Sequence, residues 1–487
     1  MSTFGSILSI ARTAIAAHQT AVQVVSQNVA NAETEGYSRQ RAELVPRWPQ
    51  KFGYGSVGTG VEVQNVIRVR DTLLDENYRR EVASAEGYSL RRDVLSQIEG
   101  ILGEPSDQAL ASSLDAFWSS WSDLSNNPGS PSGQAVVRQR GIEVASTLNR
   151  FASRLNELEG TSRSRLQTSV DELNRLAGQL AELNGKITAA ETNGTQAPDL
   201  RDSRDRIADQ LSKLSGARMI PQSNGTLSFL IGGVAIVDGL SARQVEARGG
   251  PPTAIGLVGS PDPLPQSDGQ INAILVGLNT DIPDVRAKLD ALAKGIVNGV
   301  NFLHQSGWTA AGDALGNANW NPLTPPTGSK VNFFDPTRLT AGSISISAEV
   351  TANAGVIASG LAQNAPGDNA LALKLSALRD ATGIAALQTA MGAVTFASQV
   401  GLTGGATFND SYRNTVAGVG MQVRAADSSA TTYEILANQA ETRRSSVNGV
   451  SIDEELTLLL RHQQAFQAAS RLVKTADELA QTIIEMV

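Results

Sequence analysis

Ser26-Gln27-Asn28-Val29-Ala30-Asn31-Ala32-Glu33-Thr34-Glu35-Gly36-Tyr37-Ser38-Arg39-Gln40 is the stretch on which the fold turns. Upstream of it, apolar or small residues fall at Phe4, Leu8, Ala11, Ile15, His18, Val22, Val25 and Val29. Their steps alternate four and three, the spacing of a coiled-coil seam. Glu35-Gly36 is a stop, because glycine tolerates the left-handed turn that closes a helix. The far end of the chain carries a matching pattern. Ile452, Leu459, Phe466, Val473, Ala480 and Val487 recur every seven residues, with Ala469, Ala476 and Ile483 as a second row. Two amphipathic helices, one at each end, call for burial against each other or against copies of themselves. The rest of the chain is an excursion between them.

Between the ends, helix predominates. Tyr37 to Val69 is extended, with short strands near Val61, Val63, Val66 and Val69. Within it, Gly53 to Gly58 matches a dinucleotide fingerprint in letters only, since no strand precedes it and no helix follows. Thr72 to Leu102 is helical, and Ser106 or Asp107 can cap the next helix. That helix carries Phe117, Trp118 and Trp121, whose helical spacing marks a core face rather than a ligand platform. Gln134 to Ala190 is the longest periodic stretch, with a kink site at Gly160 and Ser162. A helix of that length spans roughly 80 Å, a rod's dimension rather than an enzyme's. Pro198 to Gly216 brackets a further helix.

From Ala217 to about Ile271 apolar runs alternate with Asn224-Gly225, Gly232-Gly233 and Asp238-Gly239, which are hairpin signals. A Pro-rich loop, Pro251 to Pro265, closes this part. Helix returns at Asp284 to His304. Gly307 to Pro336 is loop, Ile344 and Ile346 suggest a brief strand, and Ala370 to Arg379 and Leu387 to Gln399 suggest short helices. Thr407 to Arg444 is a long polar helix, ended by Val447-Asn448-Gly449. Ser451 and Glu454 form a capping-box pattern before the last helix. Asp453-Glu454-Glu455 suits the positive end of that helix's dipole.

The fold class is mainly α: terminal coiled-coil helices plus a long-helix bundle, with a small inserted antiparallel β subdomain. The expected division is 1–45 with 450–487, 46–215 with 275–449, and 216–274.

Composition narrows the function. The chain has 487 residues, 41% of them hydrophobic but only 5% aromatic, so its cores are aliphatic and alanine-rich. Its 40 basic and 48 acidic residues leave a dispersed net charge of −8, unlike a nucleic-acid surface. No basic run suggests a membrane patch, no stretch is long and apolar enough to span a bilayer, and no secretory leader is expected. The absence of cysteine removes disulfides, thiolate zinc sites and thiol nucleophiles. His18, His304 and His462 stand in no metal-binding spacing, and no Walker loop or nucleophile elbow occurs. His18 and His462 lie on or beside the two terminal seams, where packing or mutual proximity is expected. No catalytic, cofactor-binding or metal-binding residue is expected.

Asn28-Val29-Ala30-Asn31, followed by Gly36-Tyr37-Ser38-Arg39-Gln40, resembles a signature of the flagellar axial proteins of rod, hook, junction and filament. It looks most like the hook-associated members, where Gly-Tyr-Ser-Arg-Gln follows the asparagines. Ser445 to Leu456 and the Leu-Leu-Arg-His-Gln-Gln-Ala-Phe run after it look similar too. The likeness covers roughly the first hundred and last fifty residues. Glu33-Thr34-Glu35 departs from the family, which commonly has a Thr-Pro pair there.

This resemblance implies a structural subunit of the hook–filament junction, exported by the flagellar type III apparatus without a cleaved signal, in the extracellular flagellum. It implies self-association in a helical layer, the hook protein and the next hook-associated protein as neighbours, and an export chaperone for the C-terminal helix. Neither nucleic acid nor membrane is an implied partner. The alternatives are a rod or hook axial protein, usually β-rich between its ends, and a secreted wall-degrading enzyme on an axial scaffold, which would need a clustered acidic site.

The axial-family motif residues are Asn28, Asn31, Gly36, Tyr37, Ser38, Arg39 and Gln40. Gly36 to Arg39 reads as a hinge, with Arg39 able to reach a carboxylate on a neighbour. The assembly seam is assigned to Leu8, Ile15, Val22, Val29, Leu459, Phe466, Val473 and Ile483. A seam so rich in alanine is marginal alone, so the ends of an isolated monomer are expected to be mobile and to order on assembly.

Overall fold

The computed structural model describes residues 2–52, 55–103, 110–192, 194–266, 268–310, 331–402 and 405–485. Helix α1 (Ser2–Ala30) is followed by strands β1 (Gln40–Pro46), β2 (Gln50–Phe52), β3 (Gly55–Val57) and β4 (Val61–Arg68). β1 pairs antiparallel with β4, and β2 with β3 as a hairpin. The glycine fingerprint therefore lies across a hairpin connection, with Gly53 and Tyr54 themselves outside the described residues. Helix α2 (Thr72–Leu102) starts where Asp71 accepts from the Leu73 and Leu74 amides and ends at Gly103 in the left-handed region. The expected cap at Ser106 or Asp107 lies outside the described residues. α3 is Leu110–Asn126.

α4 (Pro131–Ala190) is 60 residues long, about 90 Å at 1.5 Å per residue. Ser130 caps it and Pro131 opens it, where a missing N–H is no loss. It runs unbroken through Gly160 and Ser162. α5 (Pro198–Ser215) leads into β5 (Arg218–Pro221), β6 (Leu227–Ile231), β7 (Val234–Asp238) and β8 (Ser241–Ala242), an antiparallel sheet in that order. β9 (Val245–Arg248) and β10 (Ala254–Leu257) form a separate ribbon, so the Pro-rich segment holds a strand.

α6 (Gly269–Val276) continues through a π-turn at Gly277–Asp281 into α7 (Ile282–His304). This helical run reaches into the part expected to be β. Its buried Ile271, Ile274, Leu275 and Leu278 have helical spacing, and Asp268 caps it. α8 (Ala348–Ala352), α9 (Ala370–Ser376), α10 (Ala381–Met391) and α11 (Ala393–Gln399) are short. Gly392 separates α10 from α11, where one helix was expected. α12 (Phe408–Asn448) and α13 (Ile452–Glu485) complete the chain. Ile344 and Ile346 form no strand; Ile346 makes a single bridge to Phe334.

Two cores lie along α4. The first joins its N-terminal half to α2, α3, α7, residues 331–358, α9–α11 and the start of α12. Phe117, Trp118, Trp121, Phe333, Phe334 and Phe408 are fully buried there, so the aromatic cluster is core. Gly141 lets Phe333 close in, since a Cβ there would stand 2.7 Å from its ring. The second core joins the C-terminal half of α4 to α5, α6 and β5–β10. Leu158 is the last α4 residue of the first core and Leu166 the first of the second. The sheet is thus fastened to helices rather than standing apart. Asn184 anchors it, accepting from Leu227 N–H and donating to the Leu227 and Gly239 carbonyls.

α12 runs back along α2, with Tyr88 and Tyr433 stacked at 5.0 Å and the Tyr412 hydroxyl donating to the Leu102 carbonyl. α13 lies against α1, whose other neighbours are β1 and β4.

Candidate functional site

The motif residues gather at an elbow where the paired ends meet the body. Asn28, in the last turns of α1, is 1% exposed yet fully bonded. Its Oδ1 accepts from the Tyr37 hydroxyl at 2.8 Å and Gln40 N–H at 2.9 Å. Its Nδ2 donates to the Gln40 carbonyl at 2.8 Å and Glu455 at 2.9 Å. An amide offers two donors and two acceptor positions, so all four are used. Arg39 then donates to both Glu455 at 2.7 Å and Glu454 at 2.9 Å. Start and end of the chain are therefore tied by charge-assisted bonds, buried at Glu455 and exposed at Glu454.

The same turn is tied to the body. Ser38 gives its amide and hydroxyl to Asp202, at 3.0 and 2.7 Å, and Gln40 donates to Asp199 at 3.0 Å. Asp199, Asp202, Asp205 and Asp209 step by three, three and four along α5, which puts them on one face. Arg68 bridges Asp202 and Asp205 at 2.7 Å each. Arg70 clasps Asp75 and reaches Asp205, while Arg79 and Arg444 share Asp209. The Arg444 guanidinium also sits 3.8 Å from the Tyr78 ring centre.

Burial would raise the Asp205 carboxyl, but Arg70, Arg68 and Arg79 overcome it and hold it near about 2. Burial likewise pulls Arg70 down, and Asp205 and Asp75 more than reverse it. Tyr37 is held above its ordinary value by burial first, then by Asp199, Asp202 and Glu455. Asp205 and Arg70 are thus each held in their charged forms by the other's neighbourhood, as a fastening requires.

Gly36 makes the turn possible. Its φ is +76°, and a Cβ there would lie 2.5 Å from the Arg206 side chain. Above it opens a cleft of about 490 Å³, lined by Tyr37, Arg39, Arg206, Glu441 and Asn448 among others.

Of the residues singled out in the sequence, Asn28, Tyr37, Ser38, Arg39 and Gln40 come together here. Asn31 does not join them; its amide donates to the Gln27 carbonyl and accepts from Thr34. Arg39 finds its carboxylates within its own chain, because α13 begins beside it. Glu454 and Glu455 face Arg39 and Asn28 rather than only the helix dipole. The seam residues lie along the terminal pair. Ile15, Val22, Val29, Leu459, Phe466 and Val473 are half-buried, and Leu8 is 39% exposed. The side chain of Ile483 lies outside the described residues. Ala11, Ala17, Ala21, Val24, Val25, Ala469 and Ala476 are the buried ones. Asp199, Asp202, Asp205 and Asp209 were missed, although their spacing marks an acidic stripe.

A chain whose ends are paired, whose body is built on a helix of 60 residues and whose buried charges fasten the two together is built as a structural assembly subunit. Comparison with known proteins agrees. Residues 95–318 match the model described as "Flagellar hook-associated protein FlgK helical domain". Residues 445–486 match "Flagellar basal body rod FlgEFG protein C-terminal", and 8–37 "Flagella basal body rod protein". Flagellar hook-associated protein 1 of Bacillus subtilis (strain 168) is 29% identical, over 98% of this chain and 97% of that relative. Its counterpart in Salmonella typhimurium is 24% identical, over 99% of this chain and all of the relative. The solved flagellar hook junction protein FlgK from Burkholderia pseudomallei has the same fold, with a TM-score of 0.61 at 16% identity, covering 77% of this chain and 100% of that one. Along nearly its whole length the chain is similar to flagellar hook-associated protein 1, and these likenesses indicate a structural flagellar protein of the hook-associated junction type. It is an exported component of the bacterial flagellum and assembles with other flagellar components. Among the described residues no helix is long and apolar enough to cross a membrane.

Proposed function

We propose that this chain builds the junction by associating with copies of itself around the flagellar axis, with the paired ends toward the axis and the body outside them. Such contacts are heterologous, so each subunit presents one surface and receives another, and a helical layer results. The hook protein would lie on one side and the next hook-associated protein on the other. The C-terminal helix would be held by an export chaperone beforehand, and the chain would leave the cell uncleaved by type III export. Its work is contact rather than catalysis.

The observation that carries this is the apolar surface left open on the terminal pair. Ile7, Leu8, Ile452, Leu456, Leu460, Leu472 and Leu479 are between 39% and 59% exposed. Exposed leucines in such number on two paired helices mark surfaces to be covered. On this reading the functional units are the terminal pair, a helical body with two cores, and the sheet fastened to the second. Gly36 to Arg39 serves as the hinge by which the pair is angled against the body.

Negative-stain microscopy of the purified protein incubated with isolated hooks tests the proposal. Added density at hook tips is expected, and bare tips would overturn it. Gly36→Val, strained at positive φ and crowding Arg206, should abolish the tip density while export continues. Normal stacking of that variant would remove the hinge from the account.

A further inference from the structure

The chain has three histidines. His304 is sealed in the body, its Nδ1 against the Val331 carbonyl and its Nε2 accepting from Ala358 N–H. The other two, 444 residues apart, meet across the terminal pair. The Nδ1 of His18 stands 3.3 Å from the Nδ1 of His462, while the ring centroids are 5.5 Å apart. The nitrogens are thus the parts of the rings that approach each other. A contact between two imidazole nitrogens holds one proton, with one donating and the other accepting. It survives with both rings neutral or with one charged. It fails when both nitrogens carry protons, because two donors then face each other with two like charges.

The surroundings offer no relief. On α1 the only other charged side chain is Arg12. On α13 Arg461 adjoins His462 and opposes its charging. The elements packed on the other side of α1 bring Arg41 and Glu43 on β1, and Glu62 and Arg68 on β4. Glu62 is engaged by Arg47, and Arg68 by Asp202 and Asp205. Among the described residues no carboxylate bonds to either ring. Burial holds His18 below its ordinary value, and burial with His18 and Arg461 does the same for His462.

We propose that the His18–His462 contact is a proton-sensitive latch between the two terminal helices: double protonation of the pair parts them, so mild acid opens the ends and neutral medium keeps them paired. The latch follows from the terminal pair alone and stands or falls separately from the hook-tip contact.

Because the chain lacks cysteine, two introduced ones can be labelled uniquely. Gln19→Cys and Gln463→Cys, both at exposed positions beside the histidines, would carry nitroxide labels in the full chain at monomeric concentration. Pulsed dipolar spectroscopy should give a short, narrow distance at about pH 7.5 and a long, broad one at about pH 5, on either side of the ordinary histidine range. His462→Gln, which still hydrogen-bonds but does not titrate, should keep the short distance at both. His462→Lys, permanently charged, should keep the short distance at about pH 7.5, where neutral His18 can accept from it, and give the long distance at about pH 5, where both partners are charged. A wild-type distance that does not change with pH would overturn the latch. So would a long distance already at about pH 7.5, or acid opening that persists in His462→Gln.

Discussion

The body and the terminal pair bury themselves with different residues. In the body, Trp118, Trp121, Phe117, Phe333 and Phe408 are nearly or wholly out of solvent, and α4 gives one half of its length to each of two cores. In the pair, the buried apolar side chains are alanines and valines, while leucines on the same helices stand open. A buried large side chain contributes roughly 1.5–3 kcal/mol, and alanine much less. Ordering backbone costs about 1–2 kcal/mol per residue in either place. The body is therefore self-sufficient, whereas the pair holds together with little margin until something covers its leucines. Only at the elbow does the pair acquire strong fastenings of its own.

Truncation in the body should have the largest effect. Phe117→Ala should cost about 3–5 kcal/mol in urea denaturation followed by tryptophan fluorescence, because it opens a cavity among packed rings. A cost under about 1 kcal/mol would mean the body is looser than its burial implies. At the elbow, Asp205→Asn leaves Arg68, Arg70 and Arg79 short of a buried partner and should cost about 3 kcal/mol. Wild-type stability from this carboxylate is present above its unfolded value near 4. It is lost as pH falls toward about 2, since the folded form ionises more readily.

The third prediction concerns His304, which burial lowers to about 4. Above about pH 6.5 it is neutral folded and unfolded, so it contributes no pH dependence there. Between about 6.5 and 4 the unfolded chain binds the proton first, and the body should lose about 3 kcal/mol over that window. Stability curves measured from neutral to acid pH check the sign; a body that gains stability on acidification would contradict it. The smallest effect belongs to the open leucines. Leu460→Ala should change monomer stability by less than about 0.5 kcal/mol while reducing hook-tip binding. A large loss in the monomer would show that the residue is already covered.

The same contrast explains what could be read from the sequence. Helical periodicity in α2, α4 and α7 was legible because one stripe faces one core for many turns. The motif at Asn28 to Gln40 announced an important turn, but its partners lie on α5 and α13, about 160 and 415 residues away. Periodicity is local and cannot join such residues. The α1 seam was blurred for another reason. That helix packs on α13 and on the β1–β4 ribbon, so two stripes overlap and Ala17, Ala21 and Val24 are buried while Leu8 is not. Helix α6 was hidden because its short apolar run reads equally as strand until Asp268 is seen to cap it.

Hydrogen exchange on the monomer tests the central contrast most directly. The structure pairs the ends, and their composition makes the pairing easy to open. Amides of α1 and α13 away from the elbow should exchange within about a hundredfold of unstructured rates, an opening cost below about 3 kcal/mol. Amides in the buried turns of α2, α4 and α7 should be slower by several further powers of ten. Exchange as slow along the whole of both terminal helices as in the body, at a concentration where the protein is monomeric, would show that the pair is self-sufficient and would contradict this account.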